Sequence, residues 1–248
     1  MHFTLKYYIN KLMESTNVSL LNIFYETESG SNRLEADLIR VINNSIENKK
    51  SKTLALGFCG NFLESICLNE LYYAIPRNYP MIRWPNIRPF KTVAVDETSL
   101  PFLPNTWDCI IAIHFVEFSS SNRKFITEAF RTLKTGGKLI VISLNKKNAN
   151  VLKKNAKIMK RVKYNIQDII PMITEEHFSM TNILGINEHF RFWPYNFSYN
   201  LNWYGEMLID SFPLLSDVVM MIAEKGGESP ERVMSLDPKV VAPQAFYD

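Results

Sequence analysis

Three short apolar runs constrain this chain more than any other feature. Val93-Ala94-Val95, Cys109-Ile110-Ile111-Ala112-Ile113 and Leu139-Ile140-Val141-Ile142 are rich in Val and Ile, and each stops at polar residues. Runs that are continuous instead of alternating suit strands buried on both faces of a parallel sheet. Between the second and third, Phe125, Ile126, Ala129, Phe130 and Leu133 recur at helical spacing, with Arg123, Lys124, Glu128, Arg131 and Lys134 on the opposite face. Ser121 or Asn122 is placed to cap the start of this helix, and Gly136 follows Lys134 where a left-handed residue would end it. Strand, helix and strand within this distance predict a βαβ crossover.

Composition leaves room for such a fold. The 248 residues fit one α/β domain, and 46% hydrophobic residues with 12% aromatics supply a sizeable core. The net charge of +3 is only mildly basic. Cys59, Cys67 and Cys109 show no paired spacing, so they read as reduced thiols, with no metal site and no disulfide frame. No run of eighteen apolar residues occurs, and Lys6, Lys11 and Glu14 stand where a signal sequence would be apolar. A cytoplasmic protein is the expectation.

The central stretch resembles the class I S-adenosylmethionine-dependent methyltransferases of the small-molecule type. The residues that carry the resemblance are Asp96, then Leu100-Pro101-Phe102, Asn105-Thr106-Trp107-Asp108, a strand ending at His114 with Glu117 after it, a helix, and Leu133-Lys134-Thr135-Gly136-Gly137-Lys138. The resemblance implies a three-layer Rossmann-like α/β fold with a mostly parallel seven-stranded sheet whose last strand is antiparallel. It implies S-adenosylmethionine as cofactor and a small molecule as partner. Residues 1–50 would be leading helices, 51–145 the cofactor-binding half, 146–224 a cap with sheet completion, and 225–248 a tail, all in one domain.

On this resemblance Gly57, Phe58, Cys59 and Gly60 would face the methionine end of the cofactor, because glycines let the backbone approach a ligand beside a helix start. The loop departs from the family pattern: Ala55 stands where an acid is usual, and Cys59 and Asn61 stand at the later glycine positions, so it is equally a turn that packs strand to helix. The strand at 71–75 runs into Pro76-Arg77-Asn78, without the acid that usually binds the ribose. Asp96, with Glu97 beside it, would accept from the adenine amino group; alternatively Asp96 caps its own turn. His114, with Glu117, would stand at the reaction centre as base or hydroxyl anchor; alternatively His114 is a turn histidine bonded to backbone.

Beyond residue 145 the resemblance fades. The stretch 146–163 holds eight Lys and Arg residues and no acid, which suits an anionic membrane surface or nucleic acid, or equally a solvated helix face. The aromatic stretch 190–204 suits an apolar pocket or a lid core. Residues 166–173 predict a short helix, 178–185 a strand and 215–223 the last strand. A methyltransferase acting on a small molecule or lipid is the first reading. A methyltransferase-like binding or scaffold protein without catalysis is the second, and a methyltransferase of RNA or another anionic substrate the third. A nucleotide-dependent dehydrogenase is excluded, since Gly-x-Gly-x-x-Gly with a later acid is missing.

Overall fold

The computed structural model describes residues 20, 21, 24, 25, 31–46, 48–58, 68–76, 91–119, 121–146, 156–186, 216 and 218–226. Helix α1 (Ser31–Ser45) leads into strand β1 (Lys52–Gly57), followed by β2 (Glu70–Pro76), β3 (Thr92–Val95) and β4 (Trp107–Ile113). Helix α2 (Asn122–Thr132) crosses to β5 (Leu133–Leu144). The short α3 (Ala156–Met159), α4 (Ile166–Glu175), β6 (Phe178–Ile186) and β7 (Val218–Lys225) complete the described order. Leu63 and Ile66 of the helix expected after β1 through Leu63, Ile66 and Leu68, the aromatic stretch, residues 147–155 of the basic run and the tail beyond 226 lie outside the described residues.

The strands form one seven-stranded sheet in the order β3-β2-β1-β4-β5-β7-β6. The first five pair in parallel, and β7 runs antiparallel to both β5 and β6. The mostly parallel sheet with an antiparallel last strand is therefore present. Its central strands read as continuous apolar runs because both faces are covered. Ala55, Cys109, Ile111, Ile113, Ile140 and Ile142 join Leu38, Ile42 and Ile46 in one core layer, together with Leu20, Leu21, Phe24 and Tyr25. Leu54, Leu56, Ile110, Ala112, Leu139 and Val141 join Phe125, Ile126 and Ala129 of α2 and Ile166, Ile169 and Ile173 of α4 in the other. Successive strand residues thus serve opposite layers.

The end of α2 differs from the sequence expectation. The helix stops at Thr132, and Leu133 is already extended, buried and paired with Trp107 of β4. Pairing resumes at Cys109↔Lys138, so residues 134–137 form an irregular segment within β5. Gly136 takes its left-handed φ of 74° there and is not the helix cap. Burial of Leu133 against the second core layer outweighs one further turn of helix. At the other end neither expected capping bond forms: Ser121 makes no side-chain cap, and the Asn122 amide donates instead to Val116 O at 2.8 Å.

Candidate active site at the carboxyl edge of the sheet

Parallel strands bring their carboxyl ends to one edge, and the strand order reverses between β1 and β4, where open α/β sheets form a ligand crevice. Gly57 ends β1 opposite Ile113, which ends β4. Gly57 has a φ of 90°, and a Cβ built on it would lie 2.2 Å from Ile113 O. Only glycine fits. The next residue, Phe58, donates its N–H to the same carbonyl at 2.7 Å and buries its ring in the layer with α1.

His114 follows Ile113 with a left-handed φ of 46°, a conformation that costs a non-glycine residue of the order of 1 kcal/mol or more and that clusters at functional sites. Its N–H donates to Ile142 O of β5 at 2.8 Å, so the turn out of β4 is fixed from both neighbouring strands. The imidazole is wholly buried, as is Glu117. His114 Nδ1 lies 2.7 Å from Glu117 Oε1, and the same oxygen accepts the Leu144 N–H at 3.2 Å. Because Oε1 accepts, Nδ1 is the donor. Glu117 Oε2 is buried and has no hydrogen-bond partner among the described residues.

The other imidazole nitrogen, Nε2, is hydrogen-bonded to the hydroxyl of Tyr25, from far upstream in the chain. Tyr25 stacks parallel on Phe58, with centroids 5.8 Å apart, and meets the edge of Phe24 at 5.0 Å. Tyr25 and Phe58 thus lie against the His114 ring on the α1 side of the crevice, with Phe24 against Tyr25. The structure brings His114 and Glu117, both singled out from the sequence, into contact, and adds Tyr25, which the sequence did not single out. Its only signal was a phenol within the apolar set Leu20, Leu21, Phe24 and Tyr25, where a polar tip calls for a partner.

Asp96 follows β3 at the far end of the same edge. It is exposed, and its Oδ1 accepts the Thr98 N–H at 2.9 Å and the Thr98 hydroxyl at 2.7 Å, so it closes its own turn. Glu97 is half-buried beside it. The following Leu100-Pro101-Phe102 segment is clamped to α2: Glu128 Oε2 accepts the Leu100 N–H at 2.7 Å, and Arg131 donates to Leu100 O and Phe102 O at 3.0 and 2.9 Å. Cys59 and Gly60 lie outside the described residues. Among the basic residues of 146–163, Lys157, Lys160, Arg161 and Lys163 are exposed while Ile158 and Val162 are buried, which is the pattern of a solvated face. Among the described residues no helix is long and apolar enough to cross a membrane.

Comparison with known proteins agrees with this architecture. Residues 58–141 match a family model described as a methyltransferase domain. No curated protein matches the chain. Among solved structures, a possible histamine N-methyltransferase of Thermotoga maritima is 14% identical, with a TM-score of 0.57 over 82% of this chain and 97% of its own. A methyltransferase of Archaeoglobus fulgidus is 17% identical, with a TM-score of 0.57 over 78% and 94%. Geranyl diphosphate C-methyltransferase of Streptomyces coelicolor, solved with Mg2+, geranyl diphosphate and S-adenosyl-L-homocysteine, is 11% identical, with a TM-score of 0.54 over 78% and 80%. At these identities the likeness is one of fold.

Proposed function

We propose that this chain, which has the class I S-adenosylmethionine-dependent methyltransferase fold and a methyltransferase domain at 58–141, transfers a methyl group to a small-molecule acceptor. The observation that carries the reading is the buried His114–Glu117 pair at the crevice where the strand order reverses, set within the matched region. Methyl transfer asks little of the protein beyond alignment, exclusion of water and removal of a proton. A wholly buried imidazole and carboxyl group supply the last two.

The residues present fit the cofactor. Gly57, where the end of β1 lies against Ile113 O and only glycine fits, leaves bare backbone at the crevice for a ligand to approach. Asp96 and Glu97 stand three strands away along the edge, roughly 14 Å at ~4.8 Å per strand, so a ligand served by both ends is elongated. Gly57, Phe58, Cys59 and Gly60 would border the methionine end, and Asp96 and Glu97 would accept from the adenine. When bound, the cofactor supplies an electrophilic methyl group; His114 and Glu117 prepare the acceptor for it.

Calorimetric titration with S-adenosylmethionine and S-adenosylhomocysteine, on the wild type and Asp96→Ala, tests the reading. Binding in the micromolar range is expected, weakened by about 1–3 kcal/mol in the variant, the usual result of leaving a polar group unpaired. Absence of heat with either ligand at millimolar concentration would overturn it in favour of a binding or scaffold protein. Ala55 in place of the usual acid and the missing ribose acid after β2 are the residues that favour that second reading.

A further inference from the structure

We infer that Tyr25 is the residue that receives the proton of the methyl acceptor, with His114 and Glu117 behind it as a relay; this rests on the methyltransferase reading above. The sequence offers His114 as a base or a hydroxyl anchor at the reaction centre, or as a turn histidine. The geometry moves the role of base outward by one residue. Nδ1 is engaged by Glu117 and Nε2 by the Tyr25 hydroxyl, so both imidazole nitrogens already have partners. His114 and Glu117 have no exposed surface, and the Tyr25 hydroxyl is the group that stands on Nε2. A proton leaving an acceptor therefore meets the phenol first.

The phenol is held for this task. Its ring is stacked on Phe58 and braced by the edge of Phe24, which aims the hydroxyl at Nε2. Behind it, the Leu144 N–H fixes the Glu117 oxygen that orients the imidazole. This is the arrangement of an acid, a histidine and a hydroxyl in which each member orients the next. As the acceptor's O–H or N–H proton passes to Tyr25 Oη, the proton of Tyr25 passes to His114 Nε2, leaving a neutral phenol and an imidazolium beside Glu117. The electron pair left on the acceptor atom forms the new bond to the methyl carbon, and the pair of the breaking carbon–sulfur bond stays on sulfur, so no further reactant is needed. The acceptor class is a small molecule with an ionisable O–H or N–H.

Side-chain 15N–1H NMR of the full chain labelled at histidine reads the direction of this hydrogen-bond chain. At neutral pH His114 is expected to carry its proton on Nδ1 and none on Nε2. The Nε2 resonance should move in Tyr25→Phe, which removes the hydroxyl and keeps the ring. A proton on Nε2 in the wild type overturns the relay, since the imidazole would have no room for the phenol's proton; an unmoved Nε2 resonance in the variant does the same. If Tyr25→Phe fails to fold, Glu117→Gln replaces it, with a shift of the Nδ1–H resonance expected and an unmoved one overturning the relay. Titration with S-adenosylhomocysteine is the second readout. Tyr25→Phe should bind within about two-fold of wild type, while a loss beyond about ten-fold makes Tyr25 a cofactor ligand and overturns the assignment. A wild type that binds no S-adenosylhomocysteine removes the methyltransferase reading and the acceptor step together. One that binds it with Nε2 protonated removes the relay alone.

Discussion

At Gly57 backbone conformation and packing both forbid a side chain, and the two penalties act together. Gly57→Ala would place a methyl group against Ile113 O and hold alanine at a φ of 90°. The expected loss is about 2–4 kcal/mol, from strain and overpacking combined. It would be read as a lower urea midpoint with an unchanged slope. Cys109 illustrates the opposite condition, a residue silenced by its surroundings. Burial pushes its thiol up to about 12, with the neighbouring charges of Lys138 and Asp108 as smaller, opposed influences. Native protein at pH 8 should therefore leave Cys109 unmodified by iodoacetamide, as peptide mapping would show, and denatured protein should not. His114 and Glu117 were legible in the sequence because they close a strand whose apolar run is unmistakable. Tyr25 was not, because it reaches His114 from 89 residues away and no local pattern encodes such a meeting.

Among the elements, α2 does more than cross between strands. Glu128 and Arg131, one turn apart, face the Leu100–Phe102 segment and satisfy its backbone groups. The Arg131 guanidinium bonded to Glu128 holds that carboxyl below its usual value of 4.5, against the opposing effect of burial. A carboxyl whose pKa is lowered on folding stabilises the protein above its unfolded pKa. That contribution disappears as the pH falls through the lower folded value. Glu128→Gln should accordingly cost about 1 kcal/mol near neutrality and flatten the decline of stability below pH 4.5, checked by melting the two proteins across the acid range. The sequence placed α2 correctly from its apolar spacing and its opposite charged face. It misplaced the helix end, because Gly136 carries a left-handed signal that serves equally well in an irregular strand segment. Leu133, once paired with Trp107, decides between them.

For the molecule as a whole, periodicity revealed which segments are strands, and the family resemblance supplied their arrangement. Apolar runs say that a strand is buried on both faces but not beside which strand it lies. The position of β7 between β5 and β6 is therefore invisible to local patterning. The two core layers are similarly global: Ile110 and Ile111 are indistinguishable neighbours in sequence, yet one packs on the α2 side and the other on the α1 side. The same arrangement has a consequence for biosynthesis. Ribosomes deliver β5 and β6 well before β7, and β7 is the strand that joins them. Until residues 218–225 emerge, Leu139–Leu144 borders an open edge whose backbone groups and apolar side chains are available to any other extended chain. A chain released short of β7 is therefore expected to expose that edge to pairing with other chains, and its aggregation relative to the full chain would be read by light scattering.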